Sequence, residues 1–193
     1  MVICIYGAAS NVIDVKYIEA VEALGETLAK KGHSLVYGGG AEGLMGAAAR
    51  GFKRGGGYVC GIAPSFFTEG GDDVLFNNCD EFIYTETMRE RKQKMEDRAD
   101  CFIMTPGGIG TFEEFFEILT LKQLRRHEKA IAVYNIDGYY DLMEDMLSRA
   151  ITEGFMKESC RKLYKVLNNE DELVNYLENY VPQKALPKEY KNI

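Results

Sequence analysis

The feature that most constrains this chain is an alternation of short, unbroken apolar runs with longer segments of helical periodicity. The runs Val2–Tyr6, Ser34–Tyr37, Tyr58–Ala63, Glu81–Tyr84, Cys101–Thr105 and Ala130–Tyr134 read as strands. The segments Val15–Lys31, Leu44–Arg54, Thr87–Ala99, Thr111–Leu124, Tyr139–Glu153 and Asp171–Asn179 read as helices. A strand with one wet face alternates polar and apolar residues, whereas a continuous apolar run suits a strand covered on both faces of a parallel sheet. Parallel neighbours need helical crossovers of right-handed sense. The pattern therefore predicts an α/β fold, a doubly wound parallel sheet in a Rossmann-like three-layer sandwich. A length of 193 residues suits one domain, since single cores commonly run to ~100–200 residues. The reading places that domain at 1–181 and a polar tail at 182–193.

Composition narrows the function. Twenty-three Lys and Arg against 30 Asp and Glu give a net charge of −7, so a general coat for DNA or RNA is excluded and any anion site must be a local cluster. The five cysteines, Cys4, Cys60, Cys79, Cys101 and Cys160, include no C-x-x-C pair. They read as small buried hydrophobes in a reducing compartment. There are only two histidines, His33 and His127, and no H-E-x-x-H motif, so no zinc site is expected. His33 reads as part of a helix-to-strand turn and His127 as part of a solvated charged loop. The N-terminus reads as a first strand and not a signal peptide, and no apolar run is long enough to span a membrane. A cytoplasmic protein is expected.

Doubly wound folds bind ligands at the carboxyl ends of their strands, and many of the 20 glycines fall there. Tyr6-Gly7-Ala8-Ala9-Ser10 follows the first strand. Gly38-Gly39-Gly40-Ala41-Glu42-Gly43 follows the second. Pro106-Gly107-Gly108-Ile109-Gly110-Thr111 follows the fifth. Gly38, Gly40 and Gly43 match G-x-G-x-x-G, but a dinucleotide site wants that motif after the first strand and an acid ~20 residues on, and neither condition holds. Gly39 and Gly40 are then candidates for close backbone approach to some other ligand, or for tight helix–strand packing. No P-loop motif occurs. Gly107-Gly108-Ile109-Gly110-Thr111 opens a helix directly after a buried strand, where exposed amides and the helix dipole suit a phosphate. Thr111 either caps that helix or donates its hydroxyl to the anion.

Further along this helix, Glu113 and Glu117 share one face, expected to be solvated. Glu114 shares a different face with Thr111, Ile118 and Leu121. A carboxylate on an apolar face near a phosphate site is a candidate catalyst, or else the partner of a core arginine. In the segment Met88-Arg89-Glu90-Arg91-Lys92-Gln93-Lys94-Met95, Arg91 and Lys92 lie on the inward stripe with Met88 and Met95, while Arg89 and Lys94 point outward. An inward cation needs a counter-ion, which a substrate phosphate or Glu114 would supply.

Taken together, Tyr37-Gly38-Gly39-Gly40 with Gly43-Leu44-Met45-Gly46, Met88-Arg89-Glu90-Arg91-Lys92 and Pro106-Gly107-Gly108-Ile109-Gly110-Thr111-Phe112-Glu113-Glu114 resemble the LOG ("lonely guy") family. Asn135-Ile136-Asp137-Gly138-Tyr139-Tyr140 is similar as well. The likeness runs from about Val2 to Glu178. Members are cytokinin riboside 5′-monophosphate phosphoribohydrolases, long mislabelled as lysine decarboxylases. The resemblance implies hydrolysis of the N-glycosidic bond of an adenosine 5′-monophosphate, without a cofactor, by a homodimer or larger assembly. It places the catalytic arginine and glutamate on Arg91 and Glu114, and nucleotide contacts on Lys92, Gly108–Glu114 and Thr120. On this reading Gly107, Gly108, Ile109, Gly110 and Thr111 hold the phosphate and Met88 packs against the purine. The chain departs from the usual family pattern at Arg89, where His is usual, at Leu121, where Trp is frequent, and in the Gly7–Ser10 loop. A non-catalytic nucleotide carrier on the same fold is the alternative reading. A pyridoxal-phosphate decarboxylase would need a Schiff-base lysine with an acidic partner for the ring nitrogen, and no segment suggests one.

Overall fold

The computed structural model describes residues 1–70, 75–182 and 190. Seven strands, β1 (Val2–Tyr6), β2 (Ser34–Tyr37), β3 (Val59–Pro64), β4 (Glu81–Thr85), β5 (Cys101–Met104), β6 (Ala130–Tyr134) and β7 (Lys165–Leu167), form one sheet in the order β4-β3-β2-β1-β5-β6-β7. Every neighbouring pair is parallel. The α-helices among the described residues are α1 (Val15–Lys30), α2 (Gly43–Arg54), α3 (Met88–Arg98), α4 (Ile109–Gln123), α5 (Asp141–Thr152) and α6 (Glu170–Glu178). The doubly wound three-layer sandwich expected from the sequence is the observed architecture.

The apolar runs are continuous because both faces of the sheet are covered. Ile3 and Ile5 of β1 join Leu35, Tyr37 and Ile103 in a core shared with α1, α2 and α6. Cys4 and Tyr6 point the other way, to a core shared with α3, α4 and α5 through Met95, Phe115, Ile118 and Met143. Fully burying one Val, Leu or Ile contributes roughly 1.5–3 kcal/mol. A one-residue slip would exchange the two sets of side chains, so register is well defined. Local signals set the helix starts: Asp14 caps α1 by accepting from Lys16 N at 3.0 Å, and Thr87 caps α3 by accepting from Glu90 N at 3.1 Å.

The strand order reverses direction between β1 and β5. In doubly wound sheets this switch point opens a crevice beyond the carboxyl ends of the strands. The loops after β1, β2 and β5 all lead into it.

Several sequence expectations need correction. The strand β7 was not anticipated; it is only three residues long, at the sheet edge, with an exposed lysine. Helix α4 begins at Ile109 rather than Thr111. His127 is not solvated: its Nε2 lies 2.8 Å from the Ile118 carbonyl and its ring 5.5 Å from that of Phe102, and burial pushes its pKa down to about 4. His33 does sit in the turn between α1 and β2. In the expected polar tail, Tyr190 is buried, and its carbonyl accepts from Gln123 Nε2 at 2.9 Å. Residues 183–189 and 191–193 of that tail lie outside the described residues.

Candidate active site

The crevice holds a cavity of about 800 Å³, within the usual size range of small-ligand sites, ~300–1,000 Å³. Gly7, Ala8, Ala9, Ser10 and Asn11 form its floor at the end of β1. Gly38, Gly40, Glu42 and Met45 come from the β2–α2 connection, Phe67 and Leu75 from the segment between β3 and β4, and Met88 and Arg91 from α3. Gly108, Gly110, Thr111 and Glu114 complete it from α4.

Arg91 and Glu114 meet on the wall of this cavity. Arg91 is 5% exposed, and its Nη1 donates to Glu114 Oε1 at 2.8 Å. Its Nε donates to the Ile62 carbonyl at 3.2 Å, so the end of β3 fixes the plane of the guanidinium. Gly38 provides the space: a Cβ there would lie 1.8 Å from Arg91 Nη2. Burial pushes the Glu114 carboxyl above its ordinary value, and the attraction of Arg91 opposes this without cancelling it. Glu114 is therefore the partner of a buried arginine, one of its two sequence readings, and it also lines a ligand-sized cavity.

Three backbone loops are laced together beneath the pair. Ala8 N donates to the Pro106 carbonyl at 3.0 Å, and the Ala8 carbonyl accepts from Leu44 N at 2.8 Å and Met45 N at 3.2 Å. Asn11 Oδ1 accepts from Gly43 N at 2.9 Å. The first amides of α2 are thus consumed by the protein. The start of α4 is different. Its N-cap, Gly108, provides no side-chain acceptor, and among the described residues the amides of Ile109, Gly110 and Thr111 have no hydrogen-bond acceptor. A Cβ at Gly108 or Gly110 would meet nothing within 4 Å. Open amides at the positive end of a helix, beside a cavity, can bind an anion.

Other predicted site residues lie elsewhere. Lys92 is not on the cavity wall; its Nζ is gripped by Glu113 and Glu117, which are therefore ion-paired and not simply solvated. Gly39 (φ +77°) packs against the Phe82 ring, and Gly107 packs against the Thr111 side chain. Ile109 is 90% exposed and points away from the cavity. Thr120 is exposed, nine residues beyond Thr111 on α4, which is ~13 Å along the axis. Met88 and Gly40 do line the cavity, and so do all five residues from Gly7 to Asn11. Thr111 is buried inside the first turn of α4 and does not cap it. Sequence reasoning missed Phe67 and Leu75, which come from a segment without periodicity or motif. It also assigned Met45 and Glu42 no role, although they belong to the noted glycine-rich connection.

A family model described as "Possible lysine decarboxylase" matches residues 45–177. The chain is 37% identical over 181 residues to the cytokinin riboside 5′-monophosphate phosphoribohydrolase LOG of Oryza sativa subsp. japonica, covering 94% of this chain and 74% of that one. It is 36% identical over 181 residues to the cytokinin riboside 5′-monophosphate phosphoribohydrolase LOG2 of Arabidopsis thaliana, covering 94% and 84%. The chain belongs to the LOG family.

Solved structures extend the likeness in fold. The molybdenum cofactor binding protein of the phototrophic bacterium Rippkaea orientalis superposes on this LOG chain with a TM-score of 0.70 at 20% identity, covering 92% of this chain and 94% of that one. The molybdenum cofactor carrier protein of Chlamydomonas reinhardtii gives 0.69 at 20% identity, covering 92% and 95%. At such identities the likeness concerns the fold alone. Arg89, where the LOG pattern usually has His, is exposed and off the cavity wall, so that departure leaves the Arg91–Glu114 geometry intact.

Proposed function

We propose that this LOG chain hydrolyses the N-glycosidic bond of adenosine 5′-monophosphates, with or without an N6 substituent, releasing the free base and ribose 5-phosphate. The observation that carries this reading is the buried Arg91–Glu114 pair on the cavity wall, next to the open start of α4. As the bond from ribose to base breaks, positive charge builds on the sugar in an oxocarbenium-like transition state. The Glu114 carboxylate stabilises that charge or takes the proton of the attacking water. Arg91, held by Ile62 and Gly38, orients Glu114 and the nucleotide. The 5′-phosphate sits at the α4 start. Met45, Phe67, Leu75 and Met88 offer apolar surface to the purine and to an apolar N6 group. No cofactor takes part.

The working unit in this proposal is a cytoplasmic homodimer acting on a small nucleotide. Exposed apolar side chains at Leu142 and Met146, one turn apart on α5, and at Phe155 just beyond it support a self-association face. Light scattering on purified protein checks the mass. The activity is tested by incubation with AMP and with N6-isopentenyl-AMP, assaying free base and ribose 5-phosphate. Release from neither nucleotide, or undiminished release by Glu114→Gln, overturns the proposal.

A further inference from the structure

The motif Asn135-Ile136-Asp137-Gly138-Tyr139-Tyr140 has no part in the chemistry above, yet it ends on two phenols that reach the loop between β5 and α4. Tyr140 is fully buried, and its hydroxyl donates to the Thr105 carbonyl at 2.7 Å. Tyr139 is 42% exposed, and its hydroxyl donates to the Gly107 carbonyl at 2.8 Å. The turn that presents them is firmly built. Asn135 Oδ1 accepts from Tyr140 N at 2.7 Å, while its Nδ2 donates to Asp141 Oδ1 at 2.8 Å. Asp137 and Gly138 adopt φ of 53° and 71° to reverse the chain, and the Asp137 carboxylate pairs with Lys16 of α1. The Tyr139 ring lies edge-on to Tyr17 at 6.1 Å and to Tyr140 at 4.9 Å.

A trans peptide is planar, so the Gly107 carbonyl and the Gly108 amide point in opposite directions. A donor that holds the carbonyl on the outer side turns the amide inward, and Gly108 is on the cavity wall. We propose that Tyr139 is a positioning residue: its hydroxyl fixes the Gly107–Gly108 peptide so that the Gly108 amide, with the first amides of α4, meets the substrate 5′-phosphate. This rests on the proposed placement of the phosphate at the α4 start. The effect is one of preorganisation, because the loop is ordered before the ligand arrives.

The test is Tyr139→Phe, which keeps the ring packing and removes only the hydroxyl. KM and kcat are measured for AMP, with inhibition constants for ribose 5-phosphate and for adenosine. KM for AMP and the inhibition constant of ribose 5-phosphate should rise about five- to tenfold, the scale of one lost hydrogen bond. The constant for adenosine, which has no phosphate, should stay within about twofold, as expected if only phosphate binding is weakened. Equal changes for both ligands, or no change for either, overturn the inference. Gly108→Ala separates this from the underlying reading. If it weakens ribose 5-phosphate while Tyr139→Phe does not, the Tyr139 role fails and the phosphate placement stands. If neither variant weakens ribose 5-phosphate while adenosine still competes, the phosphate placement itself fails.

Discussion

The β2–α2 and β5–α4 connections carry the same glycine-rich signature and use it for opposite ends. In the first, the glycines make room for the protein: Gly38 for the Arg91 guanidinium, Gly39 for the Phe82 ring and Gly40 for Met45. The helix that follows starts with amides already bonded to Ala8 and Asn11. In the second, Gly108 and Gly110 face empty space and the following amides are open. A glycine cluster before a helix therefore does not by itself mark a phosphate site. What distinguishes the two loops is whether protein atoms or open volume occupy the place of the missing side chains.

The largest expected effect concerns the charge that both loops surround. Glu114→Gln should lower kcat by about 10³-fold with KM little changed, as expected for a group acting only in the transition state. Gly38→Ala should come next. Its methyl must displace Arg91, so kcat should fall by about 100-fold while binding of ribose 5-phosphate is largely retained. Retained kcat would remove the packing role assigned to the first loop. Gly108→Ala should do the reverse and raise KM for AMP about tenfold by crowding the ligand, with a melting temperature within about 2 °C of the parent, since the methyl meets no protein atom.

Acidity supplies a fourth test. Because burial raises the Glu114 carboxyl, the acidic limb of kcat/KM should lie above the usual carboxylate value of ~4.3. The folded state binds this proton more readily than the unfolded chain. Ionising Glu114 therefore costs stability as pH rises through that window, the opposite of an ordinary paired carboxylate. A pH–rate profile with its acidic limb at or below ~4 would contradict this.

The smallest effect lies away from both loops. Lys122 is 6% exposed, its Nζ has no hydrogen-bond acceptor among the described residues and stands 4.9 Å above the Tyr180 ring, and burial pushes its pKa down to about 8. Between pH 8 and 10.5 the unfolded state binds more protons than the folded one, so stability should rise across that window. Lys122→Met should stabilise the fold by about 1–2 kcal/mol at pH 7, and the gain should fade toward pH 10. Denaturant titrations at both pH values, with kcat unchanged, would separate the ordinary cost of burying a cation from the open amides at the start of α4.

Much of the fold was legible because burial on both faces leaves an unmistakable apolar run, as in β1, β5 and β6. The strand β7 was not legible, because three residues at an edge carry too little pattern. Helical spacing also marked Arg91 and Glu114 as inward, and they are. The same spacing marked Lys92 as inward, but its long side chain ends at Glu113 and Glu117. Periodicity fixes where a Cβ points and leaves the far end of a flexible side chain to local charge. Phe67 and Leu75 were invisible for another reason: Phe67 reaches the cavity from a short 3₁₀ turn, Ser65–Gly70, and Leu75 from an isolated bridge to Gly40, both too short to leave a period to read.

The lacing through Ala8 bears on how ligands come and go. Its amide and carbonyl together tie the β5–α4 connection and the α2 start into one floor. That floor cannot part without breaking several backbone hydrogen bonds at once, which leaves rotamer changes of lining side chains such as Met88 as the less costly motion. Rotamer changes there are fast, on the order of picoseconds to nanoseconds for exposed side chains. Departure of the products should therefore outpace bond cleavage, and a stopped-flow record of base release should rise linearly from the first turnover, with no initial burst.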